Sequence, residues 1–350
     1  MKLGSTLVVG ERGQVRRSLL AARAAEIAAL RARGERVVVV SSGAIALGLP
    51  RLGLARRPRA TPQLQAASAL GQVRLQRAWD AALRKQGLEG AQLLLTAADL
   101  AERASYVNVR NAFETLLRLG VVPVVNENDA TATDEITFGD NDALAAQVAV
   151  LVRARLLVLL TEVDGVYTSH PATPGASLLE EGELVRDLSP RPGSSLGRGG
   201  MESKVAAARL AAAAGIPSVI ASGRGRAVLE GLVGGERRGT RFAPHESADS
   251  AFRLWLRYAK PAAGRLVVDE GARRALVEQG RSLLAVGIVS CDGAFAAGDA
   301  VELATADGAV FGKGLASVAA ADLADRPRGL EAVHRDRMVV FARDTSGRGG

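Results

Sequence analysis

Arg36-Val37-Val38-Val39-Val40-Ser41-Ser42-Gly43 is the stretch that decides the architecture. Four consecutive valines show no polar alternation, so a strand here is apolar on both faces, as in a parallel sheet covered by helices on each side. The run ends directly in hydroxyl residues and a glycine. Two other apolar runs end in the same way: Val121–Val125 passes into Asn126-Glu127-Asn128-Asp129, and Leu156–Leu160 into Thr161-Glu162-Val163-Asp164. In open α/β sheets ligands bind beyond the carboxyl ends of the strands. A single polar cluster is more often a turn or a helix cap. Three on one rim point to a binding edge.

Working outward, Gln92–Leu95 and Pro217–Ala221 read as further strands. Val15–Arg33, Gln63–Lys85, Tyr106–Leu119, Ala143–Arg153 and Glu202–Ala214 read as helices, several stopped by a glycine such as Gly34, Gly87, Gly120 or Gly215. The expected fold class is α/β, a doubly wound and mainly parallel sheet sandwiched by helices. Pro123 removes a ladder donor and predicts that its strand lies at the sheet edge. After Arg241 the rhythm changes. Short segments at Arg265–Val268, Ala285–Ser290, Asp299–Leu303, Ala309–Leu315 and Met338–Phe341, with Asp-Gly and Gly-Asp turns between them, predict a small β-rich C-terminal module. The expected divisions are 1–245, a linker over 246–260, a second domain over 261–343 and a disordered tail over 344–350.

A chain of 350 residues, 48% of them hydrophobic, suffices for two cores. No uninterrupted apolar run is long enough to span a bilayer, and the N-terminus lacks a signal-peptide pattern. Cys291 is the only cysteine, which rules out a disulfide framework within the chain and predicts a reducing, cytoplasmic setting. His170, His245 and His334 lack ligand spacing, so no protein-held metal is expected. The net charge of +8 is not concentrated: residues 251–350 carry fourteen basic against twelve acidic side chains. Only five of the 45 basic residues are lysines (Lys2, Lys85, Lys204, Lys260 and Lys313), and lysine is the compact point charge suited to a phosphate oxygen.

Gly193-Ser194-Ser195-Leu196-Gly197-Arg198-Gly199-Gly200-Met201-Glu202-Ser203-Lys204 is the most specific signal. Its glycines allow close backbone approach and an anion nest, and the following helix points its positive end at the same place. Lys204 falls in the first turn of that helix. The plainer alternative is a surface loop before an alanine-rich helix. No Walker A motif occurs in the chain. Lys2-Leu3-Gly4-Ser5-Thr6 is a second phosphate-type cluster. In Gly139-Asp140-Asn141-Asp142 one aspartate would serve as a helix cap, and capping leaves the other unexplained.

In their order along the chain, Lys2–Thr6, Ser41-Ser42-Gly43-Ala44-Ile45, Asn126–Asp129, Gly139–Asp142 and Gly199-Gly200-Met201 resemble the glutamate 5-kinase family of the amino-acid kinase superfamily. Pro261–Gly264, Val268–Ala272, Ser282–Leu284 and Gly293–Asp299 resemble the PUA domain with which many of its bacterial members end. The resemblance covers nearly the whole chain, Lys2 to about Arg343. It implies ATP-dependent phosphorylation of the L-glutamate γ-carboxylate, with Mg²⁺ on the phosphates. It also implies that Lys2, Lys204 and Asp142 are catalytic and that Ser42, Gly43, Asp129 and Asn141 bind glutamate. Lys2, Thr161, Glu162, Arg198, Gly199, Gly200, Met201, Glu202, Ser203 and Lys204 would contact ATP. Further implications are proline feedback near Asp134-Glu135, coupling to glutamyl-phosphate reductase and a homo-oligomer, dimer or tetramer.

The chain departs from the family pattern in three ways. Only Met1 precedes Lys2, so the first strand is expected to be truncated. Thr161-Glu162 stands where Thr-Asp is frequent. Arg198 replaces a common threonine and Glu202 a smaller residue; a carboxylate turned toward phosphates would repel them, so Glu202 is expected to face solvent. The rival readings are a sister kinase acting on acetylglutamate, aspartate, carbamate or a nucleotide, an RNA-binding protein working through the PUA module, and a catalytically impaired homologue.

Overall fold

The structure is a computed structural model that describes residues 1–96, 99–100, 103–131, 141–182, 185, 200–244, 251–258, 260, 262–323 and 327–341. The chain divides into two compact units, Met1–Ser247 and Ala248–Gly350.

In the first unit the strands are β1 (Lys2–Leu3), β2 (Val39–Ser41), β3 (Gly90–Leu95), β4 (Val122–Glu127), β5 (Leu157–Thr161), the short hairpin β6 (Val166–Tyr167) and β7 (Leu178–Leu179), β8 (Ser218–Ser222) and β9 (Thr240–Phe242). Seven of them form one sheet in the order β3-β4-β2-β1-β5-β8-β9, parallel except for β9. The helices are α1 (Ser5–Val8), α2 (Arg17–Ala32), α3 (Ala44–Gly48), α4 (Thr61–Arg84), α5 (Arg103–Arg118), α6 (Asn141–Leu151), α7 (Met201–Ala213) and α8 (Val228–Val233). The five strands and five helices expected over this unit are present, with ends shifted by a few residues. β1, expected to be truncated, has two residues and still pairs on both sides, Lys2 with Val40 and with Leu159.

Strand side chains alternate between faces. Leu3, Val39, Val124, Val158, Leu160 and Val219 enter one core with Leu20, Ile27, Leu75, Trp79 and Leu232 from α2, α4 and α8. Lys2, next to Leu3, therefore faces the other side, where α6 and α7 pack on each other and on the sheet.

Pro123 does not mark an edge, which corrects the expectation from sequence: β4 lies between β3 and β2. The Val122 N–H bonds to Glu89 O at 2.8 Å, so the nitrogen of residue 123 faces the β2 side. There β2 joins only at Val124, opposite Val39, and no ladder donor is needed at the proline.

The second unit opens with α9 (Ala251–Tyr258), within the stretch expected to be a linker. It continues through β10 (Ala262–Val268), α10 (Glu270–Gln279), β11 (Leu283–Leu284), β12 (Ile288–Asp292), β13 (Ala300–Ala304), β14 (Val310–Ala316) and β15 (Glu331–Val340). The six strands form one sheet ordered β11-β15-β14-β13-β10-β12. Asp269 caps α10, accepting from the Ala272 N–H at 2.7 Å, and Leu266, Leu276, Ile288, Phe295, Leu303 and Val333 share its core. Among the described residues no helix is long and apolar enough to cross a membrane.

Candidate active site

The polar strand ends meet at the carboxyl edge of the large sheet. At its centre Lys2 Nζ lies 2.6 Å from Asp142 Oδ1, and Lys204 Nζ lies 3.1 Å from Asp142 Oδ2. Ser203 Oγ is 2.8 Å from the same Oδ2. These elements come from three parts of the chain: β1 presents Lys2, the start of α6 presents Asp142, and the first turn of α7 presents Ser203 and Lys204. Lys2, Asp142 and Lys204 are 3%, 1% and 6% exposed, so their charges act in a medium that screens them weakly. Burial pushes the Asp142 carboxyl up; the two ammonium groups and the Lys2 and Ser203 hydrogen bonds outweigh it and hold the group below the ordinary carboxylate range. The three charges leave a net positive centre beside the N-terminal end of α7, an arrangement that attracts anions.

A second cluster lies beside it, over β2 and β4. The backbone N–H of Glu127 can only donate, so it fixes the oxygen of Asn141 toward itself at 3.2 Å. Asn141 Nδ2 then donates to Ser42 Oγ and to Asn126 Oδ1, each at 2.8 Å. Asn126 Nδ2 in turn donates to Gln72 Oε1 at 2.7 Å. Because Ser42 accepts from Asn141, its own hydroxyl proton is left for a different acceptor. Asp129 is 5% exposed, and its Oδ2 accepts from Ser68 Oγ at 2.5 Å. Its Oδ1 is buried without a hydrogen-bond partner among the described residues. Burial raises the Asp129 carboxyl, and the Ser68 hydrogen bond and the Arg57 charge lower it in part.

The chain turns into this cluster through Gly43, whose φ of +120° is disfavoured for any other residue, and a Cβ there would sit 3.0 Å from Val9 Cγ2. Two glycines set the depth of the floor. A Cβ on Gly48 of α3 would lie 1.7 Å from Ala67 O, and one on Gly71 of α4 would lie 1.7 Å from Ala44 O. Only this close crossing of α3 and α4 carries Ser68 and Gln72 up to the strand ends.

On the other flank, Glu162 follows Thr161 at the end of β5 and meets Arg224 at 3.0 Å and Arg16 at 4.0 Å. Glu162, Arg224, Arg241 and Gly239 are among the residues lining a cavity of about 810 Å³ there. Gly200 and Met201 stand at the start of α7, and Glu202 is exposed, as expected. Arg198 and Gly199, with the rest of 193–199, lie outside the described residues, as do Gly139, Asp140, Asp134, Glu135, His245 and the tail 344–350. Among the described residues no group of three His, Cys, Asp or Glu side chains could hold a metal ion. Sequence reasoning missed Ser68, Gln72, Arg57, Arg16 and Arg224. The available signal was Ser68 and Gln72, polar residues four apart on α4 beside its buried stripe Leu64, Ala67, Gly71 and Leu75.

A buried lysine–aspartate–lysine centre on the carboxyl rim of a parallel sheet, at a helix N-terminus, has the chemistry of a phosphoryl-handling site. The Amino acid kinase family model matches residues 1–222, and the PUA domain model matches residues 264–335. A glutamate 5-kinase of Paraburkholderia xenovorans (strain LB400) is 42% identical over 97% of this chain and 96% of its own length. One from Syntrophotalea carbinolica (strain DSM 2380) is 43% identical over the same shares. A solved isopentenyl phosphate kinase covers 69% of this chain and 98% of its own at 22% identity, with a TM-score of 0.48. The chain therefore belongs to the amino acid kinase family and, within it, to the glutamate 5-kinases.

Proposed function

We propose that this chain transfers the γ-phosphoryl group of ATP to the side-chain carboxylate of L-glutamate, forming L-glutamyl 5-phosphate, the first step of proline biosynthesis. The observation that carries this reading is the Lys2–Asp142–Lys204 centre. A carboxylate is already ionised near pH 7, so the acceptor needs no general base. The protein's task is to position the reactants and to offset the charge that develops on the transferring group. Lys2 and Lys204 approach that group from two sides, while Asp142 fixes both ammonium groups before the nucleotide arrives. The nucleotide lies toward Thr161, Glu162 and the 200–204 turn. Mg²⁺, when bound, neutralises phosphate charge. With no carboxylate cage among the described residues and Asp142 engaged by both lysines, phosphate oxygens would be its main ligands.

The acceptor occupies the second cluster. Ser42, oriented by the Asn141 amide, offers its hydroxyl to a substrate carboxylate, the Gly43 backbone allows close approach, and Asp129 Oδ1 takes the α-ammonium. An acetylated amine would bring no charge to Asp129 and would leave that oxygen unpaired, which favours glutamate over acetylglutamate. A cytoplasmic location goes with this reading. The test is a hydroxamate assay with glutamate and ATP on the wild type and Lys204→Ala. Loss of one such electrostatic contact lowers kcat by about a hundredfold to a thousandfold. Undiminished turnover in the variant, or phosphorylation of acetylglutamate in preference to glutamate, overturns the proposal.

A further inference from the structure

The two carboxylate oxygens of Asp129 have unequal surroundings. One oxygen is held by Ser68 at 2.5 Å, while the other is buried and has no hydrogen-bond partner among the described residues. A buried carboxylate oxygen left without a partner is costly unless a ligand completes it. Ser68 reaches this place from the middle of α4, because the glycine crossing of Gly48 and Gly71 brings that helix within backbone contact of α3. Its hydroxyl is itself buried, at 4% exposure, so the contact is not averaged out by solvent.

We propose that Ser68 is a positioning residue for the acceptor: it occupies one oxygen of Asp129 and so directs the other, ionised, at the substrate's α-ammonium. The inference rests on the reading of Asp129 as the ammonium site and adds a residue of α4 that sets its selectivity. The hydroxyl has two effects. It fixes the carboxylate rotation, so a single oxygen faces the substrate. It also favours the ionised form, since a donor to a carboxylate stabilises its charge. Burial acts in the opposite direction, and among the described residues Arg57 is the other group that favours the charge. Removing the hydroxyl leaves burial less opposed, so Asp129 protonates at a higher pH.

The experiment compares wild type, Ser68→Ala and Ser68→Cys with glutamate and with glutarate, which lacks the ammonium group. Alanine is a strong helix former of nearly the same volume as serine, and melting curves verify that each variant is folded. Ser68→Ala raises KM for glutamate by about tenfold or more, the effect of losing a hydrogen bond to a charged group. KM for ATP stays within about twofold, and the glutamate-over-glutarate preference in kcat/KM falls by a similar factor. The acid limb of kcat/KM for glutamate moves to higher pH. Ser68→Cys, a weaker donor, falls between the two. A folded Ser68→Ala protein with unchanged glutamate KM, glutarate discrimination and acid limb overturns the inference. So does a variant in which glutamate and ATP KM rise together with the preference intact, because that marks a general structural role. A wild type inactive on glutamate refutes the functional reading itself, whereas an active wild type indifferent to Ser68 refutes only this step.

Discussion

Replacing Asp142 by asparagine keeps the side chain's shape and removes its charge, leaving two buried ammonium groups facing a neutral amide. The native contacts are 2.6 and 3.1 Å, and all three side chains are at least nine-tenths buried, so solvent offers little compensation. Removing one partner of a buried ion pair costs about 3–5 kcal/mol. For a unit of this size that lowers Tm by roughly 6–20 °C, at about 2–4 °C per kcal/mol. The loss also depends on pH. Asp142 is held below its ordinary value, so its ionised form stabilises the fold above the unfolded pKa of about 3.9, and that contribution is lost as pH falls through the folded value. The gap between wild type and variant is therefore flat from pH 6 to 8 and narrows toward strongly acidic pH. ATP supplies the anion that the lysines have lost, so saturating nucleotide raises the variant's Tm by more than the wild type's. Differential scanning calorimetry with and without ATP measures all three effects. A variant that melts within about 2 °C of wild type at pH 7 refutes the claim that Asp142 offsets the charge of the two buried lysines, by the same conversion.

Gly71→Ala places a Cβ 1.7 Å from Ala44 O, so α3 and α4 must separate. Overpacking of this kind costs about 1–3 kcal/mol or more, visible in urea unfolding, and glutamate KM rises more than ATP KM as the acceptor floor shifts. Arg23 and Glu26 form a buried pair at 2.6 Å that also bonds Gly225 O and the Leu229 N–H; Glu26→Gln therefore costs about 3–5 kcal/mol in the same measurement. Arg224→Ala breaks only an exposed contact with Glu162, worth about 1 kcal/mol or less, so ATP KM changes by less than roughly fivefold in steady-state kinetics.

How much of this was legible in the sequence depends on how local the cause was. The parallel strands of the first unit are continuous apolar runs and the helices stop at glycines of positive φ, so β2, β4, β5, α2 and α7 could be read directly. The rim clusters followed from where those runs ended. Pro123 was misread because an edge position is only one way to spare an N–H; the other, a neighbouring strand that joins one residue later, depends on register. β15 looked short because His334-Arg335-Asp336-Arg337 interrupt its apolar pattern, yet its ten residues pair with both β11 and β14. Ser68 and Gln72 are hard to read as site residues because two polar residues four apart beside a buried stripe are a common feature of a helix. Their function comes from the helix crossing, which the sequence signals only through two unremarkable glycines.

The division of labour at the start of α6 ties the two halves of the site together. Asn141 and Asp142 are adjacent, and successive helix positions point about 100° apart. Asn141 turns to Ser42, Asn126 and Glu127, the side proposed for the acceptor, while Asp142 turns to Lys2, Ser203 and Lys204, the side proposed for the phosphoryl donor. A shift of this helix end therefore moves both reactants' partners together. In-line transfer requires the acceptor oxygen and the phosphorus to keep a fixed distance, and misplacement by about 1 Å can cost a hundredfold in rate. Mounting the two sets of partners on consecutive residues of one rigid helix meets that requirement without a separate element to hold the halves in register. It also accounts for the second aspartate-like position that capping left unexplained: Asp142 serves the lysines, and the cap is a separate need.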